Sequence, residues 1–167
     1  MRPLLDVPRT ELEAWFRDQG EPAMRARQVR RWILLGRAES FQHMTDLPAR
    51  LRAVLESEFA LFETQSARHL AASDGTHKLL LRLVDGQLIE CVLIQEEDRR
   101  TACISTQVGC GMGCVFCASG IGGVVRNLSA AEILEQLLHA RNLLPEHERL
   151  TNVVVMGMGE PLSLIHI

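Results

Sequence analysis

Apolar and polar positions alternate with helical spacing through the first sixty residues. The first helix is expected to open on a capping box at Thr10 to Glu13, where a hydroxyl and a carboxylate would satisfy free amides. A second helix is expected between Pro22 and Gly36, and a third after Asp46-Leu47-Pro48. The pattern therefore predicts a small helical module over residues 1–60.

The pattern becomes strand-like after residue 60. "HKLLLRLV" and "QLIECVLIQ" are strand-length apolar runs, and Asp85-Gly86 between them is a strong signal for a tight hairpin. Asp74-Gly75 indicates a similar turn just upstream, and "TACISTQV" is typical of another strand. We expect residues 61–100 to form a β-hairpin connector.

Residues 101–167 have the pattern of a parallel α/β unit. Ser129 to Glu132 is a second capping box that opens the amphipathic helix "AAEILEQLLHARNLL". "TNVVVMG" is expected to be a buried strand that runs into the glycine-rich turn "GMGEP". Strand, helix and strand form the βαβ unit of a parallel sheet, and a barrel needs several such units. The predicted fold class is therefore α/β: a helical module, a β-hairpin segment, and the truncated start of a TIM-type barrel.

The composition is that of a folded globular protein. The chain has 167 residues, of which 47% are hydrophobic and 23% charged. No apolar run reaches the ~18 residues that span a bilayer, and the N-terminus turns polar too early for a secretory signal. We therefore expect a cytoplasmic location, in which thiols stay reduced.

Basic side chains are concentrated near the N-terminus, although the net charge is only -3. Residues 1–52 carry ten of the eighteen basic side chains, and Arg25, Arg27, Arg30 and Arg31 lie in one short segment. Clustered arginines can neutralise the phosphates of a nucleic acid. A solvated helix face has the same charge pattern, so both interpretations stay open.

Three of the five cysteines lie in "CGMGCVFC", with the spacing C-x3-C-x2-C. In a reducing compartment this indicates metal or redox chemistry. Structural zinc takes four ligands, and the fourth would have to be Cys103, Cys91 or a distant histidine. An iron–sulfur cluster can instead be held by three thiolates, which leave one iron for another ligand. The spacing favours an iron–sulfur cluster, with zinc as the alternative, on Cys110, Cys114 and Cys117.

The cysteine motif, the βα unit and "GMGEP" together resemble the radical S-adenosylmethionine (SAM) enzymes. "GQLIECVLIQEEDRRTACISTQVGCGMGCVFCASG", "RNLSAAEILEQ" and "TNVVVMGMGEPL" resemble more closely the dual-specificity adenine-C2 methyltransferases of 23S ribosomal RNA and transfer RNA. "MRARQVRRWI" and "FQHMTDLP" are similar to the accessory RNA-binding domain of that family. The resemblance covers about residues 10–162.

The resemblance implies cofactors, partners and a reaction. The three cysteines of the motif would hold a 4Fe-4S cluster whose open iron is chelated by SAM, and Gly159 and Glu160 would contact SAM. A methyl group is first placed on a cysteine near the C-terminus; a second SAM supplies a radical that activates it for addition to adenine C2. The implied partners are 23S rRNA, tRNA and an electron donor such as flavodoxin, with no membrane, and the protein is expected to be a monomer.

Two further residues receive roles from the resemblance. Glu90 is the only charge in "LIECVLI", so we expect it to be buried, and its position matches the proton acceptor of the family. The alternative for Glu90 is an edge-strand carboxylate in water. Cys103 matches a cysteine that resolves the enzyme–RNA crosslink through a transient disulfide, the alternative being a small buried hydrophobe. Cys91 has no implied role and is assigned to the core.

The methyl-carrying cysteine of the family lies in its C-terminal part, whereas the last cysteine here is Cys117. The final residues, "SLIHI", also depart from the residues that the family has after "GMGEPL". We therefore expect a fragment that does not complete methyl transfer. Three other functions stay open: adenine-C8 methylation within the same family, a radical SAM reaction on a small molecule, and a zinc-stabilised RNA-binding module without catalysis.

Overall fold

The structure is a computed structural model that describes residues 1–164, so the last three residues of "SLIHI" lie outside it. The chain divides into two compact units, Met1–Glu63 and the remainder from Thr64. Within residues 1–164, none of the helices has both the length and the apolar composition that a membrane crossing requires.

Helices make up most of the first unit, in agreement with the sequence prediction. Its elements are β1 (Arg2–Pro3), α1 (Arg9–Asp18), α2 (Arg25–Leu34), α3 (Ala49–Glu58) and β2 (Phe59–Ala60), with short 3-10 turns at Leu4–Asp6 and Phe41–His43. The two short strands pair in parallel. Apolar side chains on the inner helix faces form the core: Leu12, Phe16, Ala26, Val29, Ile33, Leu51 and Leu55. Both tryptophans of the chain, Trp15 and Trp32, belong to this unit.

The start of α1 differs from the prediction. The helix begins at Arg9 with Pro8 as its N-cap, and no side chain caps it. Proline is favoured at a helix start because its φ is already helical and it has no N–H to satisfy. Thr10 therefore lies inside the first turn, and Glu13 binds Arg9 at 2.7 Å instead of a backbone amide. The predicted capping box at Thr10 to Glu13 is wrong.

A five-stranded sheet forms the centre of the second unit, in the order β3-β4-β5-β6-β9. Its strands are β3 (Gln65–Ala71), β4 (His77–Arg82), β5 (Leu88–Gln95), β6 (Arg100–Cys103) and β9 (Asn152–Val154). A separate antiparallel pair consists of β7 (Gln107–Gly109) and β8 (Val124–Asn127), and the main helix is α4 (Ala130–Asn142). Further 3-10 turns lie at Ala118–Gly120 and Pro161–Leu164.

Both predicted tight turns are present. Gly75 and Gly86 have φ of 84° and 82°, values that favour glycine. The strands β4 and β5 pair across the second turn. The strand β3 was not predicted, because all seven of its residues are exposed and give no buried apolar pattern. The predicted connector at 61–100 shares one sheet with β6 and β9.

The predicted βαβ unit is confirmed, since β6 and β9 pair in parallel with α4 between them in the chain. Two details differ. "TACISTQV" is not one strand: β6 ends at Cys103 and β7 begins at Gln107, because Ile104 and Thr106 turn to bond the segment after β9. The strand β9 is also not buried. Val153 is 47% exposed, because β9 is the last strand of the sheet in the described part of the chain.

The helix α4 packs on one face of the sheet and completes a buried cluster. Members of this cluster come from β4, β5, β6 and α4: Leu79, Leu81, Ile89, Cys91, Leu93, Ala102 and Ala140. The predicted capping box at the start of α4 is confirmed. The Ser129 hydroxyl accepts from the Glu132 N–H at 3.2 Å, and the Glu132 carboxylate accepts from the Ser129 N–H at 2.9 Å.

Replacing Ser129 with alanine is expected to lower the free energy of unfolding by about 1 kcal/mol, because one amide at the start of α4 loses its acceptor. Urea unfolding followed by circular dichroism measures the change. Thr10→Ala is the matched control, since Thr10 caps nothing, and it should change stability by less than about 0.5 kcal/mol. Equal losses for the two variants would contradict the assigned caps.

Candidate metal and cofactor site

The carboxyl ends of β6 and β9 lie at the same edge of the sheet, because the two strands are parallel. After β6 the chain passes through β7 into the cysteine loop, and after β9 it enters the "GMGEP" turn. Ligand sites of parallel α/β proteins lie at this edge. The topology therefore brings together the two motifs that the sequence singled out.

The cysteine loop is closed at its base by the strands β7 and β8. The Cys110 N–H donates to the Gly123 carbonyl at 3.0 Å, and the Cys117 N–H donates to the Cys114 carbonyl at 3.1 Å. Gly109 has a φ of 78°, and a Cβ added there would lie 2.0 Å from the Gly123 oxygen. Only glycine fits at the base of the loop.

An arginine on β8 fixes the end of this loop to the rest of the unit. Arg126 binds both carboxylate oxygens of Glu132, at 2.8 Å and 2.7 Å, and the Asp85 carboxylate at 2.7 Å. These bonds raise the pKa of Arg126, with Glu132 contributing most. The same bonds with Arg126 hold the pKa of Asp85 below its usual value. The strand β8 is thus tied to the start of α4 and to the β4–β5 turn.

All five cysteines are free thiols. Cys114 is exposed, whereas Cys110 and Cys117 are half-buried. The pKa of Cys117 lies below its usual value because the Ser119 N–H donates to the sulfur, with the Ser119 hydroxyl contributing next. In the part of the chain that the structure describes, no three His, Cys, Asp or Glu side chains are gathered as metal ligands.

The chemistry of the loop nevertheless fits a thiolate-bound iron–sulfur cluster. Residues 110–123 contain three thiols and no histidine or carboxylate that could compete as a ligand. An open cavity of about 400 Å³ lies against Cys114, Phe116, Cys117 and Ile121. In the segment leading to the loop, the Thr106 hydroxyl is buried and has no hydrogen-bond partner within residues 1–164. An unsatisfied buried hydroxyl is typical of a site that binds a ligand or an ordered water.

The "GMGEP" turn packs directly on the segment between β6 and β7. A Cβ added at Gly157 would lie 2.7 Å from the Ile104 oxygen, and one added at Gly159 would lie 2.8 Å from Gln107. The Met158 N–H donates to the Ser105 hydroxyl at 2.8 Å. Close packing therefore explains both glycines. The half-buried Glu160 keeps its carboxylate beside the turn, where it accepts from the Leu162 N–H at 2.9 Å.

The predicted burial of Glu90 is wrong. Its side chain is 44% exposed and binds Lys78 Nζ at 2.7 Å. Side chains of a strand alternate between two faces, and in β5 the face of Ile89 and Cys91 is the one in the buried core. Glu90 lies on the other face. Its run of apolar neighbours concealed this alternation.

Cys103 lies on the same face of the sheet as Glu90. It pairs with Val92, two residues beyond Glu90 on the neighbouring strand. Such diagonal neighbours have Cα atoms about 7–8 Å apart. Cys91 is fully buried on the opposite face, so its assignment to the core is confirmed. Burial raises the pKa of the Cys91 thiol to about 12, and the nearby Cys103 thiol adds to the rise.

Three buried polar residues that shape this edge of the sheet were missed by the sequence analysis. Ser105, Gln107 and Gln136 have 0%, 6% and 0% of their surface exposed. The Gln136 amide accepts from the Ser105 N–H at 2.8 Å and donates to the Ser105 carbonyl at 3.0 Å. The Ser105 hydroxyl also donates to the Glu90 carbonyl at 2.7 Å. For Ser105 and Gln107, the polar run "STQ" inside an apolar segment was the available signal.

The arginine cluster of the first unit is only partly exposed. Arg25 binds Glu21, Gln28 and the Asp46 carbonyl, and Arg30 donates to the Val7 carbonyl at 2.7 Å. Both side chains therefore serve the helical unit itself. The exposed arginines of the cluster are Arg27 and Arg31, so any phosphate contact from it would rest mainly on these two.

Comparisons with known proteins connect this site to a family. Residues 3–61 match the family described as ribosomal RNA large subunit methyltransferase N-terminal domain. A probable dual-specificity RNA methyltransferase RlmN from Rhodopirellula baltica is 54% identical over 160 residues, which cover 96% of this chain and 43% of that protein. Over nearly its whole length, this chain is therefore similar to proteins of the RlmN family.

A second RlmN protein and a solved structure show the same similarity. The dual-specificity RNA methyltransferase RlmN of Desulfosudis oleivorans is 46% identical over 158 residues, 95% of this chain and 43% of its own length. The crystal structure of a radical SAM methyltransferase from Sphaerobacter thermophilus matches with a TM-score of 0.92 and 42% identity, over 99% of this chain and 49% of that one. The predicted α/β fold class is therefore confirmed. The chain spans less than half the length of these relatives.

Proposed function

We propose that this chain carries the cofactor-binding region of a radical SAM methyltransferase that methylates C2 of an adenine in 23S rRNA and in tRNA. The observation that carries the proposal is the position of the cysteine loop and the "GMGEP" turn at one edge of a parallel strand pair, in a chain similar to proteins of the RlmN family. The relatives are named as dual-specificity RNA methyltransferases, which supports RNA as the substrate.

Two groups of residues would bind the cofactors. Cys110, Cys114 and Cys117 would hold a 4Fe-4S cluster, which with SAM supplies a radical able to remove a hydrogen atom from a methyl group. Gly159 and Glu160 would hold SAM, the Glu160 carboxylate lying where it can accept hydrogen bonds from an ammonium group. The packing of Gly159 on Gln107 supports this role, because it fixes the backbone next to that carboxylate.

Glu90 and Cys103 would act on the base from one face of the sheet. Glu90 would accept the C2 proton, and its 44% exposed carboxylate lies beside Lys78 Nζ at 2.7 Å. Cys103 would release the product by attacking the sulfur that links enzyme and RNA. A transient S–S bond would replace the S–C bond, whose electron pair would stay on the RNA-linked carbon and take up a proton to give the methyl group. The methyl-carrying cysteine that completes this step in the family has no counterpart among these 167 residues.

The proposal also includes an electron donor, a cellular location, an RNA-binding surface and an oligomeric state. A one-electron donor such as flavodoxin would reduce the cluster, and a reducing cytoplasm would keep the thiols available. The first unit would contribute to RNA binding through Arg27 and Arg31, and the protein would act as a monomer.

Anaerobic reconstitution of the chain with iron and sulfide tests the proposal. We expect a brown protein with about four irons per chain, whose reduced electron paramagnetic resonance spectrum changes when SAM is added. The control is the same chain incubated with zinc alone. A chain that stays colourless and binds one zinc ion tightly instead would overturn the proposal in favour of a zinc-stabilised module.

A further inference from the structure

One buried side chain joins the "GMGEP" turn to the strand pair that carries the cysteine loop. Gln107 is 6% exposed and uses both ends of its amide. Its Oε1 accepts from the Glu160 N–H at 3.0 Å, and its Nε2 donates to Asn127 Oδ1 at 2.8 Å. A longer contact of 3.4 Å joins Nε2 to the Ser163 hydroxyl.

The positions of these partners in the fold show which segments the bonds of Gln107 connect. Gln107 begins β7, three residues before Cys110, and Asn127 ends β8 after the loop. The two residues are also direct partners in the β7–β8 pairing. Glu160 lies 53 positions away from Gln107, in the turn after β9. The Gln107 amide therefore links both ends of the cysteine loop to the turn.

The "GMGEP" turn also packs closely against Gln107. Gly159 has a φ of 101°, and a Cβ there would lie 2.8 Å from Cβ, Cγ and the backbone nitrogen of Gln107. The backbone N–H of Gln107 donates to the Met158 carbonyl at 3.2 Å. Contacts on both sides of Gly159 thus hold the turn in one position against this residue.

The geometry points to Gln107 as a positioning residue that sets where Gly159 and Glu160 stand relative to the cysteine loop. This inference rests on the proposed function, in which one SAM molecule must reach both the turn and an iron held by the loop. A cofactor that bridges two segments binds tightly only when their spacing is already correct. Gln107 itself is not proposed to touch the cofactor.

Gln107→Met tests this role, because methionine keeps the length of the side chain and removes both polar ends. In the chain without cluster or SAM, we expect amide hydrogen exchange across residues 158–162 to become about tenfold faster, while exchange in α4 is unchanged. After reconstitution, iron content should equal that of the unchanged chain, and the Kd for SAM should rise at least about tenfold. Gln107→Glu keeps an acceptor for the Glu160 N–H and should restore slow exchange.

Two further variants serve as control and as backup. Gln95→Met removes one amide-to-backbone bond, to the Gly75 carbonyl, at the far end of the sheet and should leave exchange at 158–162 and SAM binding unchanged. Asn127→Ala keeps the bond between the Glu160 N–H and Gln107 Oε1 but removes the acceptor on β8 for Gln107 Nε2. It should weaken SAM binding even if Gln107→Met does not fold.

The outcomes separate this inference from the proposed function. Unchanged exchange at 158–162 in Gln107→Met, or faster exchange with an unchanged Kd for SAM, would overturn the positioning role while leaving the proposed function intact. Failure of the unchanged chain to bind a cluster or SAM would reject the proposed function instead. The hydrogen-exchange result needs neither cofactor, so the link between turn and loop is tested in either case.

Discussion

Replacing any one of Cys110, Cys114 and Cys117 with alanine is expected to reduce the iron bound after anaerobic reconstitution from about four atoms per chain to well below one. Each of these thiols would bind a different iron, and the loop has no histidine or carboxylate that could substitute for a lost ligand. Iron and sulfide analysis, together with the visible absorbance of the protein, measures the loss.

Cys103→Ala is the matched control for these three variants, because it removes a half-buried thiol from the strand that leads to the loop. It should keep the full iron content. If Cys103→Ala loses iron as completely as Cys110→Ala does, then Cys103 is a fourth thiolate ligand, which contradicts a cluster with one iron left open for SAM. Iron retained by any of the three loop variants would also contradict the assignment.

Gln136→Leu is expected to lower the free energy of unfolding of the second unit by about 3 kcal/mol. Leucine fills a similar volume, but the Ser105 N–H and carbonyl would then lose their side-chain partner inside the protein. Ser105 is fully buried, so water cannot replace these bonds without opening the structure. Urea unfolding followed by circular dichroism, with hydrogen exchange in β5 and β6, measures the effect.

The control for this variant is Gln87→Leu. Gln87 is exposed in the turn between β4 and β5, so the same substitution there should change stability by less than about 0.5 kcal/mol. A loss below about 1 kcal/mol for Gln136→Leu would show that the bonds to Ser105 contribute little to the stability of this unit.

Some features set by neighbouring residues could be predicted from the sequence, although the capping box predicted at Thr10 to Glu13 is absent. Asp85-Gly86 and the Ser129 capping box depend on groups within four residues of one another, and both are present as expected. The exposed strand β3 could not be predicted, because it has no apolar side facing the core. The sequence also could not tell which face of β5 the helix covers, so the burial of Glu90 was predicted wrongly.

The candidate site was predictable in its motifs but not in its internal contacts. The cysteine spacing and the "GMGEP" turn are visible in the chain, and their roles as ligands stay predictions. The side-chain bonds that join the turn to the segment leading into the cysteine loop connect residues 53 positions apart. Contacts of this kind depend on how the strands are arranged, and no local pattern of residues indicates them.

The placement of both tryptophans in the first unit has a practical consequence, since the chain contains no tyrosine. Intrinsic tryptophan fluorescence would come from the helical unit, and the sheet with its cysteine loop would contribute almost no emission. During a titration with denaturant, tryptophan emission would therefore follow the unfolding of the first unit separately from that of the second.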